Sequence, residues 1–420
     1  MNKIILSTIF LLAFPWQSKA QEQLYVGGDI SVLQSYEDHA VDYYDQQGTR
    51  IDDVLKYMKS EAVGWNALRV RLFVDPSGDS DPQVCQDIDY VVRLGKRIKA
   101  EGFSFMLDFH YSDTWADPGS QWTPKAWFGL DDTQLQAKVY EYTKDCLQKL
   151  VEAGAAPDFI QTGNEISYGM LWGQSGTTAN RCYYNSDANW PRFIALLGQA
   201  TKACREVCPQ AKIIIHTERA GQTDVLVGIY NRLASVDYDI IGLSYYPFWH
   251  NGLSVLGSAL KLLANKFPDK KVQIVETAYY YQWQPWIGNG IDYDYSSTWP
   301  ITPDGQAAFA KDLIALLKGH SNVNGLYWWF PEENGNGPSS SVLKGWVNRG
   351  LWDNYTHCAL PGLYVLKDFL GGSTAVSAIN ASKKNAGSWY TLQGVRLKGQ
   401  PTLPGVYLHN GYKRINGLTN

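Results

Sequence analysis

What the chain lacks narrows the field first. It has no long run of one charge sign: 37 Lys and Arg stand against 41 Asp and Glu, for a net charge of -4. Nucleic acid is therefore not expected as a partner, since neutralising phosphates needs a basic surface. No Cys-x-x-Cys pair has a matching second pair or histidine, which argues against a zinc site. Cysteine is scarce, six in 420 residues, and spacing alone does not fix which of them pair. Cys204 and Cys208 lie four apart on a helical stretch, close together yet awkward for a bridge, so free or structural thiols are expected. Beyond the first 20 residues no apolar run is long enough to span a bilayer, and no repeat or low-complexity segment is present.

What is there begins with a leader. A lone Lys3, an apolar run from Ile4 to Phe14 and a small-residue exit at Ser18-Lys19-Ala20 read as a signal peptide over residues 1–20. The mature chain then starts near Gln21, exported to be secreted, periplasmic or held at the cell surface. No cysteine follows the exit to take a lipid anchor. With 45% hydrophobic residues the chain can bury a large core. Its 16 Trp and 27 Tyr either fill that core or offer rings for stacking on sugars.

From about residue 24 to 370, short β-rich runs alternate with longer helical patterns, the signature of a parallel sheet with helical crossovers. Strands are expected at Tyr25–Ile30, Asn66–Phe73, Ser104–His110, Asp158–Thr162, Lys212–His216, Asp239–Ser244, Val272–Glu276 and Gly325–Trp329. Between and after them, Ile51–Ala62, Gln86–Ala100, Thr133–Ala153, Trp190–Val207, Val225–Ala234, Ser254–Phe267, Gly305–Lys318 and Leu360–Phe369 repeat apolar residues every three or four positions. Eight such units make an α/β fold, a (β/α)8 TIM barrel over residues 21–370. The Trp-, Tyr-, Gly- and Asn-rich loops 111–127, 167–189 and 279–302 fall on one face and are expected to build a site there. Composition shifts after Gly371-Gly372. Residues 371–420 read as a short C-terminal β-rich tail or small module, with strands in 389–396 and 404–411.

Two glutamates end strands: Glu165, after Asn164 in the fourth, and Glu276 in the seventh. Carboxylates at the C-terminal ends of two barrel strands suit a glycosidase, in which one protonates the leaving oxygen and the other attacks or activates water; the plainer alternative is strand-end acids paired with arginine. Arg69 and Arg71 share one strand face, with Glu276 a natural partner for at least one of them, either as a poised nucleophile or as a structural ion pair. Asp108 and His110 also share a face. They supply too few ligands for a catalytic metal, so no metal or cofactor is expected, and His110 reads as a donor to a sugar hydroxyl or a catalytic Glu. His216 closes the fifth strand in the same position, or is a satisfied core histidine. Tyr245 or Tyr246 can reach the nucleophile, and spacing does not say which. Of Trp328 and Trp329, only one faces inward.

The motifs GDIS at 28–31, NALRVRLFVDP at 66–76, LDFHYSDTWADP at 107–118, TGNE at 162–165, IIGLSYYPFW at 240–249 and VETAY at 275–279, in this order, resemble glycoside hydrolase family 53. These are the endo-β-1,4-galactanases, in the clan of retaining (β/α)8 glycosidases. The resemblance implies Glu165 as acid/base, Glu276 as nucleophile, Asn164 on the sugar 2-hydroxyl and Arg69 orienting the nucleophile. It also implies that Trp115 stacks on sugar and that Trp329, rather than Trp328, is the strand-eight tryptophan. The substrate would be β-1,4-galactan, as in type I arabinogalactan side chains of pectin, cleaved by a monomer. Bacterial relatives commonly bind calcium in the loop after strand seven. Here residues 280–290 lack the acidic pattern, so calcium is not expected, and Tyr281, Trp283 and Trp286 are expected to hold the loop by packing. The tail, 388–415, resembles β-strand tails of secreted proteins from some Gram-negative anaerobes. The rival readings are a mannanase or cellulase of the same clan, and a non-catalytic carbohydrate-capture protein on the same barrel.

Overall fold

The computed structural model describes residues 23–338 and 348–371, and in the tail 389–391, 396–397, 401, 405–409 and 412–416. The leader over 1–20 and the stretch 373–388 lie outside the described residues. Eight parallel strands close into a barrel: β1 (Tyr25–Asp29), β2 (Ala67–Leu72), β3 (Ser104–Phe109), β4 (Phe159–Thr162), β5 (Lys212–Thr217), β6 (Ile240–Ser244), β7 (Lys271–Thr277) and β8 (Val323–Trp329). They fall within two residues of the expected strands. The runs are almost wholly buried, as expected for parallel strands packed on both faces. Closure needs Gly27, because a Cβ there would lie 1.7 Å from the Ala67 carbonyl oxygen.

Helices cover the outside because one face of each is apolar. Ile88–Ala100 buries Tyr90, Val91, Leu94 and Ile98 and is capped by Asp87. Asp132–Glu152 starts from a capping box of Asp131 and Gln134, which satisfies amides that the first turn leaves unpaired. The helix expected at Ile51–Ala62 is shorter, Val54–Lys59, with Asp53 as its cap. The last expected helix splits into an α segment, Pro361–Val365, and a 3-10 turn, Leu366–Phe369.

The barrel interior is layered. Ala67, Met106, Phe159, Ile214, Ile240, Val275 and Tyr327 pack together with Tyr25 as an apolar plug. Two positions further along, alternation puts Arg69, Asp108, Gln161 and His216 on the same inward face, nearer the mouth. Strand β7 breaks this alternation. Leu243 pairs with Ile274, but Ser244 pairs with Glu276, so one residue is extra in β7. Such a bulge re-aims side chains: Val275 joins the plug, and its neighbour Glu276 also reaches the mouth.

Residues 371–420 form a separate compact unit. Its described strands make an antiparallel sheet in the order Arg396–Leu397, Trp389–Thr391, Gly405–His409, Tyr412–Asn416. Among the described residues no helix is long and apolar enough to cross a membrane, and all six cysteines are unbridged.

Candidate active site

The chain leaves β4 through Gly163 at φ +100° and turns sharply at Glu165, itself at φ +49°. A non-glycine residue in the left-handed region costs on the order of 1–3 kcal/mol, and such strain collects at functional sites. The turn is fixed from β5: the Glu165 amide donates to His216 Nδ1 at 3.3 Å and the Ile166 amide to the His216 carbonyl at 3.0 Å. Glu165 thereby faces a cleft of about 910 Å³ at the barrel mouth, lined also by His110, Trp115, Asn164, Glu218, Tyr246, Trp249, Glu276 and Trp329.

Arg69 stands at the floor, 1% exposed, and binds three carboxylates at once. It meets Asp29 at 2.6 Å, Asp108 at 2.8 Å and Glu276 at 2.9 Å, and also donates to Asn164 Oδ1 at 2.9 Å. The expected Arg69–Glu276 pair is present, but shared. Arg71 goes elsewhere: it lies 3.5 Å from Asp29 and places its guanidinium 4.5 Å from the Trp115 ring. Trp115 is also held by Asp81, which accepts from Nε1 at 2.9 Å.

The remaining candidates divide between the cleft and its support. Tyr246 donates to Glu276 Oε2 at 3.0 Å, whereas Tyr245 turns away and donates to the Asn251 carbonyl at 2.9 Å. Trp329 lines the cleft; Trp328 points outward and donates to the Arg349 carbonyl at 2.8 Å. His110 faces the cleft while its Nε2 lies 3.1 Å from Asp108. Asp108 and His216 are completely buried and do not line the cleft, so any effect they have on substrate runs through their partners, Arg69, His110 and Gln161 for Asp108 and Asn164, Glu165, Gln161 and Ser244 for His216. Asn164 does line it, with its Nδ2 donating to the Ala116 carbonyl at 2.8 Å.

Four residues had no signal strong enough to be singled out from sequence: Asp29, Gln161, Glu218 and Ser244. Ser244 Oγ lies 2.6 Å from Glu165 Oε1 and 3.4 Å from Glu276 Oε2, within reach of both carboxyls. These two carboxylate oxygens are therefore at most about 6 Å apart, an upper bound that accommodates the roughly 5–5.5 Å between the carboxyl groups of retaining glycosidases.

Burial dominates the electrostatics. It raises the Glu165 carboxyl well above its ordinary range, with Glu276 and Glu218 adding repulsion. It pushes Glu276 up to about 7, against the pull of Arg69 and with help from Asp29 and Asp108. One guanidinium answers three carboxylates, so the pull of Arg69 on Glu276 does not offset the effect of burial.

The loop after β7 does not offer a fitting calcium site. Asp294 Oδ1 already accepts from Gln284 Nε2 at 2.7 Å and the Ser296 amide at 2.8 Å. Calcium takes about six to eight oxygens, and among the described residues no cluster of three or more acids, histidines or cysteines is placed to hold a metal. The loop is tied otherwise: Tyr281 is buried, but Trp283 and Trp286 are exposed, Trp286 to 70%. They do not pack as expected. The tethers are polar, from Trp249 Nε1 to the Gly290 carbonyl at 2.9 Å and from Gln282 to Asn348 at 2.8 Å. Activity and Tm are expected to be unchanged in EDTA; a fall of several degrees, restored by calcium, would show that a site exists.

The glycosyl hydrolase family 53 model matches residues 25–366. The chain is 30% identical to an endo-beta-1,4-galactanase of Bacillus subtilis over 87% of this chain and 79% of that protein. It is 32% identical to an arabinogalactan endo-beta-1,4-galactanase A of Aspergillus niger over 77% and 89%. Among solved structures, the Ignisphaera aggregans GH53 catalytic domain superposes with TM-score 0.71 at 29% identity, covering 83% of this chain and 97% of that one. A structure from work on two fungal beta-1,4-galactanases gives 0.69 at 27%, covering 83% and 100%. A family model that spans the whole barrel, on a chain whose fourth and seventh strands bring two carboxylates to one cleft, places this enzyme among the glycoside hydrolases: the chain belongs to glycosyl hydrolase family 53.

Proposed function

We propose that this enzyme is an exported, endo-acting hydrolase of β-1,4-galactan that works by double displacement, with Glu276 as nucleophile and Glu165 as acid/base. The observation that carries the mechanism is the pair of carboxylates held within reach of one hydroxyl at the cleft floor. The substrate reading is supported by the relatives, which are named for galactan and arabinogalactan. Glu276 attacks the anomeric carbon while protonated Glu165 gives its proton to the leaving oxygen; Glu165 then takes a proton from the water that releases the sugar. Asn164, next to Glu165, takes the 2-hydroxyl; Trp115 and Trp329, with ring centroids 6.2 Å apart, provide the apolar surface under the sugars. Export rests on the leader over residues 1–20, and the chain acts as a monomer.

Purified enzyme on a polysaccharide panel should release reducing sugar from unbranched galactan at a rate far above that from mannan or cellulose, with oligosaccharides as early products. A preference for mannan or cellulose would move the enzyme to another specificity of the same clan, and no turnover on any of them would leave carbohydrate capture.

The rate should follow a bell in pH. Its acidic limb comes from protonation of Glu276 and its basic limb from ionisation of Glu165, both being properties of the coupled pair. Since burial raises both groups, the bell should lie above the range of an exposed carboxylate, near pH 4.3. A flat profile of kcat/KM from about pH 4 to 9 is incompatible with these roles.

A further inference from the structure

Ser244 ends β6 fully buried and opposite Glu276, by virtue of the bulge in β7. Its Oγ has three partners: His216 Nε2 at 2.8 Å, Glu165 Oε1 at 2.6 Å and Glu276 Oε2 at 3.4 Å. The His216 tautomer decides how they divide. A backbone amide can only donate, and the Glu165 amide points at His216 Nδ1; the Gln161 amide group lies 3.0 Å from the same nitrogen. Asn164 Oδ1, also near it at 3.1 Å, is already served by Arg69. Nδ1 therefore carries no proton. Burial and Arg69 keep the ring neutral, so the proton sits on Nε2 and is donated to Ser244 Oγ. The hydroxyl's own proton is then left for a carboxylate, and it has two within reach.

We propose that the Ser244 hydroxyl, primed by His216, donates its one hydrogen bond to whichever of Glu165 and Glu276 is ionised, and so serves as a positioning residue in both halves of the reaction. This rests on the roles of the two glutamates given above. Before attack Glu276 is ionised and Glu165 holds its proton, so the hydroxyl turns to Glu276. In the first half the bond from the anomeric carbon to Glu276 forms, the glycosidic bond breaks and the Glu165 proton goes to the leaving oxygen. Glu276 is now an ester and Glu165 an anion, so the hydroxyl turns to Glu165. In the second half water adds to the anomeric carbon, its proton goes to Glu165, and the ester bond's electron pair returns to Glu276. No proton of Ser244 or His216 is transferred.

The test is Ser244→Ala, measured on galactan and on a dinitrophenyl β-galactobioside whose departure needs no acid. The charges facing the pair are Arg69 from β2, Asp29 from β1, Asp108 from β3, Asp117 after β3, and Glu218 after β5; the variant leaves all of them in place. A donor to a reacting charge contributes on the order of 10²-fold. Ser244→Ala is therefore expected to lower kcat about ten- to a hundredfold on both substrates, with KM within about twofold because Ser244 does not line the cleft. The basic limb should move to higher pH, since ionised Glu165 loses its donor. Ser244→Thr, which keeps the hydroxyl, should recover most of kcat. Ser244→Cys, a weak donor of similar size, should share the loss and allows the comparison if the alanine variant does not fold. An alanine or cysteine variant with wild-type kcat and an unmoved basic limb, or a threonine variant as impaired as alanine, overturns the proposal. Glu165→Gln and Glu276→Gln separate the two levels: activity within tenfold of wild type in either sinks the assignment of the pair itself, whereas two dead glutamine variants beside an unaffected Ser244→Ala sink only the role of Ser244.

Discussion

Replacing Glu276 by Gln is expected to lower kcat on galactan by at least about 10³-fold, the scale seen when one member of a catalytic unit is removed, while Tm near pH 7 holds or rises. Glutamine is nearly the same size and keeps an oxygen for Tyr246 but cannot form the glycosyl ester. The stability half follows from burial. A carboxyl whose folded pKa is raised binds its proton more tightly folded than unfolded, so stability falls as pH rises from the unfolded value towards the folded one. For Glu276 that window runs from 4.5 to about 7, and the variant has no such cost within it. Glu165→Gln should behave alike on galactan, losing about 10²- to 10⁴-fold, but much less in the first step with a leaving group that needs no acid. Either variant working within tenfold of wild type on galactan contradicts the assignment. Loss of Tm in Glu276→Gln would show instead that the carboxylate is part of what stabilises the fold.

The second large effect is expected at Arg69. Its fork holds Asp29, Asp108 and Glu276 together with Asn164, and removing one partner of a buried ion network costs about 3–5 kcal/mol. Arg69→Ala should therefore be poorly folded. Arg69→Lys is the informative variant: it keeps one positive charge but cannot present both ends of a planar fork. Its kcat should fall by about 10²-fold or more, because a misplaced nucleophile costs that much, and denaturant titration should show a loss of at least about 1 kcal/mol. A lysine variant with kcat within tenfold of wild type would mean that net charge, rather than the geometry of the fork, is what Glu276 requires.

The barrel was legible because each strand is a short apolar run and each helix repeats at three or four residues. Period-two alternation also places Arg69 with Arg71 and Asp108 with His110. That rule fails where the strand is irregular. The extra residue in β7 puts Glu276 opposite Ser244, and nothing in VQIVET marks it. Ser244 is one more small residue at a strand end, and its importance comes from partners on β5, on β7 and in the turn after β4. The choice between Tyr245 and Tyr246 has the same origin, since the chain leaves β6 at Ser244 and alternation no longer binds it. Asp29 lies within the GDIS motif, yet its effect depends on sharing Arg69 with two other acids, a competition between charges that only spatial arrangement reveals. Trp283 and Trp286 were expected to pack because large rings usually bury. Hydrogen bonds from Trp249 and Gln282 fasten that loop instead, leaving both rings outside.

The most direct trial of a covalent route through Glu276 is to trap it. A 2-deoxy-2-fluoro-β-galactobiosyl fluoride should inactivate the enzyme with time and leave one fluorogalactobiosyl group, which mass spectrometry of the digested protein should place on Glu276. A label on any other residue, or turnover of galactan to products of inverted anomeric configuration with no adduct formed, would contradict it.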